Sequence, residues 1–305
     1  MLAHTLISLL TGPLPNAPFI SPRMLPGSAL GTPLNPVTRR SGSADEAAEY
    51  IAGLYEGELF EMVVKEAQSF LSEHAKHQAR PLVRYRLASA LFELERSKEA
   101  IPHYQRLAGQ AGFEYRAEAQ LRLGQCELLN ERPREAREVL RAALASDQDY
   151  LKPSAAFFLG EAEFRLKNYP QAREQYEASL SGEAAASYHA HARRGLAWSY
   201  FLENNWSASQ KHSSRFLSDH GDHELAAEVR FLLGDAAFQA ENYDAAENAW
   251  SPIEQGAWLD GALRGRAWIR SKRGDNRAAA IFFARLLEAN GRGRFAQEAA
   301  LQCGV

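Results

Sequence analysis

Beyond residue 44 the chain repeats one pattern of small, apolar and polar positions. A small or apolar residue suited to open a second helix stands at Val63, Ala100, Ala136, Ala172, Ser209, Ala246 and Ala279, at intervals of 37, 36, 36, 37, 37 and 33 residues. Twelve residues before the last six of these lies another small residue: Ala88, Gly124, Gly160, Ala197, Gly234 and Ala267. The first unit has the bulkier Ile51 there, which predicts a degenerate or capping unit. Glycine inside a helix costs about 0.8–1 kcal/mol relative to alanine, so its return at one phase requires a close helix crossing. The pattern therefore predicts antiparallel helix pairs, with the small residues facing one another where the helices cross.

Turn signals occupy the gaps at a fixed phase: Glu95 to Ser97, Asn130 to Pro133, Lys167 to Pro170, Glu203 to Asn205, Glu241 to Tyr243 and Arg273 to Asn276. Pro133 and Pro170 fall where a second helix begins, a place that needs no N–H. Pro102 lies within a second helix and Pro252 near the end of another, which predicts a kink or a shortening at each. Whole segments echo as well. Residues 157–172 align without a gap on 231–246, and Phe70 to His77 match Phe216 to His223.

Together with the leucines that precede the small residues (Leu87, Leu123, Leu159, Leu196, Leu233), the aromatics at second-helix starts (Phe60, Tyr169, Trp206, Tyr243) and the later large residues (Tyr104, Leu140, Tyr176, Trp250, Phe283), this set resembles the tetratricopeptide repeat family. The resemblance spans residues 45–305. It implies an all-α, right-handed superhelical solenoid of seven antiparallel helix pairs, followed by a terminal half-repeat that starts near Phe295. It also implies a non-catalytic scaffold whose first helices line a concave, peptide-binding surface. The endings at 70–74 and 216–220 resemble the variety found in bacterial cell-envelope assembly proteins.

Residues 12–43 differ in kind. They hold Pro13, Pro15, Pro18, Pro22, Pro26, Pro33 and Pro36 with many Gly, Ser and Thr, and show no helical or alternating period. Such a composition predicts a disordered lead or linker over 1–44. The short apolar stretch at the start could be a weak signal segment, although no basic residue precedes it.

Charge narrows the partner class. Lys and Arg number 35 against 38 Asp and Glu, for a net charge of −3 with the signs mixed along the chain. This lacks the basic footprint that nucleic acid demands. Cys126 and Cys303 have no ligand-like spacing, and no phosphate loop, dinucleotide fingerprint or nucleophile elbow occurs, so neither metal, cofactor nor catalysis is expected. No apolar run reaches the ~18 residues of a membrane span, leaving cytoplasm or periplasm and cell envelope open. The pairs His74/His77 and His220/His223 read as equivalent inter-repeat turns. Glu161 and Glu163, two apart on a helix, diverge and form no acid–base dyad.

The candidate site is a set of large residues on the first helices. Tyr85 and Phe92, Phe157 and Phe164, and Phe231 and Phe238 are each seven apart and so share a stripe, joined by Trp198 and Trp268. Arg84, Arg122, Arg194, Arg230 and Arg264 share or neighbour that face. The expected groove comprises the eight aromatics with Arg194 and Arg264, holding a protein or peptide. The same spacing also suits rings that pack between adjacent first helices. Two further readings are a structural subunit of a cell-envelope assembly, packed on identical chains or a membrane-bound partner, and the repeat module of a longer protein with activity elsewhere; the uncapped terminal half-repeat offers a surface for self-association.

Overall fold

The computed structural model describes residues 43–181 and 183–303, which form fifteen α-helices with short 3-10 turns at Asp149–Leu151 and Glu183–Tyr188; no strand occurs among the described residues. Up to residue 42, the expected disordered lead lies outside the described residues. The first helices are α1 (Ala44–Glu56), α3 (Arg80–Glu93), α5 (Arg116–Leu129), α7 (Lys152–Arg165), α9 (His189–Leu202), α11 (Ala226–Gln239) and α13 (Leu259–Lys272). Alternating with them are α2 (Phe60–Glu73), α4 (Ser97–Ala108), α6 (Pro133–Leu144), α8 (Tyr169–Ser179), α10 (Trp206–Asp219), α12 (Tyr243–Trp250) and α14 (Asn276–Asn290). Helix α15 (Ala296–Cys303) follows.

The chain divides into two compact units, one made of Met1–Leu166 with Ser181–Ser187 and the other of Lys167–Leu180 with Tyr188–Val305. In the first, α1 to α7 pack each on the next, α1 also touches α3, and α5 touches α7. The second repeats the arrangement from α8 to α15, with further contacts of α9 on α11 and α11 on α13. Each helix is thus held by its sequence neighbours, the hallmark of a solenoid.

What reverses the chain within each repeat is a single left-handed residue. Glu58, Glu95, Glu131, Lys167, Asn204, Glu241 and Gly274 have φ between 56° and 79°, and their spacing reproduces the period of the small residues. At six of these turns the next residue donates its N–H five residues back: Leu59 to Leu54, Arg96 to Leu91, Arg132 to Glu127, Asn205 to Tyr200, Asn242 to Ala237 and Asp275 to Arg270, all at 2.8–2.9 Å. This Schellman closure satisfies carbonyls that the helix end leaves open. Asn205, Asn242 and Asp275 then accept the N–H groups of Ala208, Ala245 and Ala278 and cap the second helix.

The small residues are buried as expected, and beside two of the glycines lies a large side chain of the second helix. A Cβ on Gly124 would lie 2.4 Å from the Leu140 side chain, and one on Gly234 would lie 2.4 Å from the Trp250 indole. Each glycine seats a large residue sixteen positions later on its own second helix. Leu140 and Trp250 are among the largest fully buried side chains, as is Tyr104, which stands sixteen residues after Ala88. Ile51 and Val63 of the first unit are equally buried. Pro252 does shorten its helix, since α12 stops after eight residues at Trp250. Pro102 does not, for α4 runs through it to Ala108.

Candidate interaction faces of the first helices

The seven-residue stripes exist, and in the described structure they point mainly into the array. In the first unit Tyr85 is buried, stacked on Tyr115 at 5.6 Å and edge-on to Tyr104 at 6.2 Å. Phe92 is buried beneath the Arg122 guanidinium, 4.8 Å from its ring centre. Phe157 is buried against Phe158, ring centres 5.0 Å apart, and Phe164 is buried as well. In the second unit Trp198 and Phe231 are buried, the latter tilted against Trp258 at 5.0 Å, where Gly261 leaves room for its ring. Phe238 and Trp268 are only half-buried, packed on Tyr243 and Phe283 respectively.

The expected arginines act within the fold. Arg194 on α9 lies 3.6 Å from Glu228 of α11, and the same carboxylate accepts the Trp198 indole N–H at 2.7 Å. Both Arg194 and Glu228 are buried. Seventy residues on, the arrangement returns: Arg264 Nε and Trp268 Nε1 of α13 donate to the two oxygens of Glu298 on α15, each at 2.8 Å. An arginine, a tryptophan four residues later and a glutamate on the following first helix form a clamp between repeats. The thirty-residue interval from Trp to Glu carried the signal, but it shows only once the acidic residues are read with the rings.

Helix α11 occupies the same phase with different residues. Phe231 stands for the arginine, Asp235 for the tryptophan and Gly261 for the glutamate. Asp235 is buried, and its Oδ2 has no hydrogen-bond partner among the described residues. Burial pushes its carboxyl up to about 7, against the opposing pull of the Arg264 guanidinium. His191 on α9 is displaced the other way. Burial, with Arg194 and His223 beside it, lowers its imidazole to about 4.

Sequence reasoning passed over a second set of rings. Tyr55 on α1, Tyr85 on α3, Tyr115 at the start of α5 and Tyr150 just before α7 come from four successive repeats, at intervals of 30, 30 and 35 residues. Tyr55 and Tyr85 both neighbour Ser89, whose hydroxyl lies 3.1 Å from that of Tyr104. Tyr150 donates its hydroxyl hydrogen bond to Glu118 and lies within electrostatic reach of Tyr85 and Tyr115; burial and the Glu118 bond hold its phenol well above the usual range. Tyr55 and Tyr115 are half-buried, and half of Tyr150 meets solvent. Around these rings stand Arg86, Glu56, Glu93 and Glu114. The rings form a ladder on one face of the first unit, each rung from a different repeat.

The remaining candidates resolve into packing. His77 Nδ1 accepts the Ala79 N–H and His223 Nδ1 the Leu225 N–H, both at 3.2 Å, so the two histidine pairs are equivalent turns. No group of three or more potential ligands fit to hold a metal occurs among the described residues. The buried Cys126 thiol is pushed up to about 12 by desolvation, which makes it a poor nucleophile.

The family profile described as tetratricopeptide repeat matches residues 85–150, 130–189 and 195–250, more than half of the chain. Among curated proteins, none is significantly similar. Solved structures share the fold at low identity. The carboxyl-terminal part of a tetratricopeptide repeat protein from Cytophaga hutchinsonii is 14% identical over 83% of this chain and 98% of its own, with a TM-score of 0.64. One from Parabacteroides merdae is 12% identical over 86% and 99%, at 0.55. PilW, a widely conserved type IV pilus biogenesis factor, is 18% identical over 69% and 92%, at 0.51.

Proposed function

Because the chain belongs to the tetratricopeptide repeat family, we propose that it is a non-catalytic scaffold that holds a polypeptide partner along the faces of its first helices. The observation that supports this most is the tyrosine ladder, in which Tyr55, Tyr115 and Tyr150 offer half-exposed aromatic surface and the buried Tyr85 stands between Tyr55 and Tyr115 in sequence. Aromatic side chains offer large contact area at little entropic cost, and they are enriched at interface hot spots. In the second unit the accessible part of the expected groove is Phe238, Trp268 and Arg264, flanked by the partly exposed Arg230. Tyr85, Phe92, Phe157 and Phe164 in the first unit, and Trp198, Phe231 and Arg194 in the second, are buried.

The test compares partner capture by the parent with capture by first-helix and second-helix variants, quantified by mass spectrometry and followed by titration of the captured protein. Tyr150→Ala and Phe238→Ala should weaken binding by roughly thirtyfold, the equivalent of about 2 kcal/mol. Ile281→Ser on α14, where the side chain is exposed, should bind like the parent. The reverse outcome would move the working surface to the second helices.

A structural role in an envelope assembly is the second reading. It draws on the fold shared with the pilus biogenesis factor and on the exposed apolar side chains Ile281 and Leu301 of the last helices. No helix among the described residues is long and apolar enough to cross a membrane. A monodisperse monomer in light scattering, unchanged by Leu301→Ser, would count against this reading.

A further inference from the structure

We infer that Arg84, His103 and Arg106 form a carboxylate-binding site on the second repeat, and that its occupant is an acidic side chain of the partner polypeptide. This rests on the scaffold reading above and names one chemical feature that the partner carries.

The same three residues occur twice in the chain, 109 residues apart. Arg84 of α3 corresponds to Arg193 of α9, and His103 and Arg106 of α4 correspond to His212 and Arg215 of α10. In the later repeat the set contains its own acid. Asp219, the last residue of α10, brings one oxygen to 2.8 Å from Arg215 Nε and 3.3 Å from Arg193 Nη2. The corresponding residue of the earlier repeat is Gln110, beyond the end of α4, and it carries no charge. No other repeat holds an arginine, a histidine and an arginine at these positions.

What remains in the second repeat is a cationic group without an acid of its own. Burial, followed by the charges of Arg106 and Arg80, pushes the Arg84 guanidinium below its usual range, and no acidic group offsets them. Among the described residues neither Arg84 nor Arg106 has an ion-pair partner. Arg84 Nη1 lies 3.4 Å from His103 Nδ1. An imidazole that accepts at Nδ1 carries its proton on Nε2, which leaves that N–H as a donor for a ligand. Glu99, one turn before His103, is engaged by Arg96 through two bonds at 2.7 and 2.8 Å.

The chemistry of the group selects the ligand. Guanidinium N–H groups match the planar pair of oxygens of a carboxylate, and such charge-assisted bonds are stronger than neutral ones. A carboxylate shared by the two arginines is the arrangement that Asp219 already makes in the later repeat, which favours it over a tetrahedral phosphoryl group. Arg84 and His103 are half-buried and Arg106 is exposed, so the group is open to a ligand from solvent. Residues 1–42 contain no Asp or Glu, so the leading segment of the chain has no carboxylate side chain to supply. Charge complementarity therefore points to an acidic stretch of a second polypeptide.

The experiment titrates N-acetyl-tetraglutamate amide into the full chain at neutral pH and low salt, with the tetraglutamine amide as control, and follows the His103 ring by NMR. Tetraglutamate should bind saturably, shift the His103 signals and lose affinity as salt rises, and tetraglutamine should do none of these. Gln110→Asp supplies the acid that the later repeat has, and it should weaken binding by roughly tenfold, as should Arg84→Gln. Asp219→Gln frees the later copy, so the stoichiometry should rise from one to two and the His212 signals should begin to move. Gln110 is exposed, so helix content by circular dichroism should not change in that variant. Absence of tetraglutamate binding overturns the proposal, and so does binding indifferent to Gln110→Asp and Arg84→Gln. Inorganic phosphate that displaces tetraglutamate at equal concentration also overturns it, and assigns the site to phosphoryl groups. If tetraglutamate does not bind yet partner capture depends on Tyr150 and Phe238, the scaffold reading stands without this site.

Discussion

Arg194 and Trp198 share one buried carboxylate, and the three groups stand or fall together. Removing Glu228 leaves a guanidinium inside the protein without its counter-charge, an outcome that typically costs 3–5 kcal/mol. Glu228→Ala should therefore lower the denaturant midpoint sharply. Glu298→Ala, where the clamp is partly solvated, should cost less than about 1 kcal/mol. Equal losses in urea titrations would show that the buried clamp has no special weight. Asp235, in the corresponding place on α11, makes stability depend on pH. Its carboxyl titrates near 3.8 when free and at about 7 in the fold. Between those values the folded state keeps a proton that the unfolded state has released, so stability falls as pH rises toward 7 and stays reduced above it. Asp235→Asn should thus raise the melting temperature at pH 8 and change it little at pH 4, and an equal shift at both would contradict the assignment. His191 acts with the opposite sign. Its contribution is whole above 6.5 and is lost as pH falls toward 4.

Each repeat's turn depends on one left-handed residue, and six of the seven are not glycine. For an ordinary side chain that conformation costs about 1–2 kcal/mol. Glycine avoids the penalty but loses about 0.5–1 kcal/mol of chain entropy. Glu131→Gly should then stabilise by about 0.5 kcal/mol, measurable as a later urea midpoint, whereas Glu131→Val should destabilise. This phase was legible in the sequence as the recurring Glu, Lys or Asn between apolar runs, because turn chemistry is local. Helix pairing was legible for the same reason. The facing of the rings was not. A seven-residue interval fixes which residues share a stripe of one helix, but the neighbouring helix that covers the stripe is a tertiary fact. Phe231 is covered because Trp258 and Gly261 lie one repeat further on. Tyr150 was overlooked because it lies on a short 3-10 turn, where no helical period marks it.

Nearest-neighbour packing makes damage local in the whole molecule. Gly234→Leu would drive a side chain into the Trp250 indole, an overpacking that costs on the order of 1–3 kcal/mol or more. Hydrogen exchange should then quicken in α11 to α14 while α1 to α5 keep their protection, and uniform quickening along the chain would contradict the solenoid picture. The clamps add a rule of growth to this coupling. Donors on one first helix and the acceptor on the next make each clamp a link that belongs to no single repeat. Recombination that copies or deletes two periods together, cutting at equivalent turns, still delivers a glutamate to every arginine and tryptophan that needs one, whereas loss of α11 and α12 alone would set Gly261 against Arg194 and Trp198. A break elsewhere strands a buried cation and an indole. The array can therefore change length in evolution only in whole links, as a chain of rings can and a rope need not.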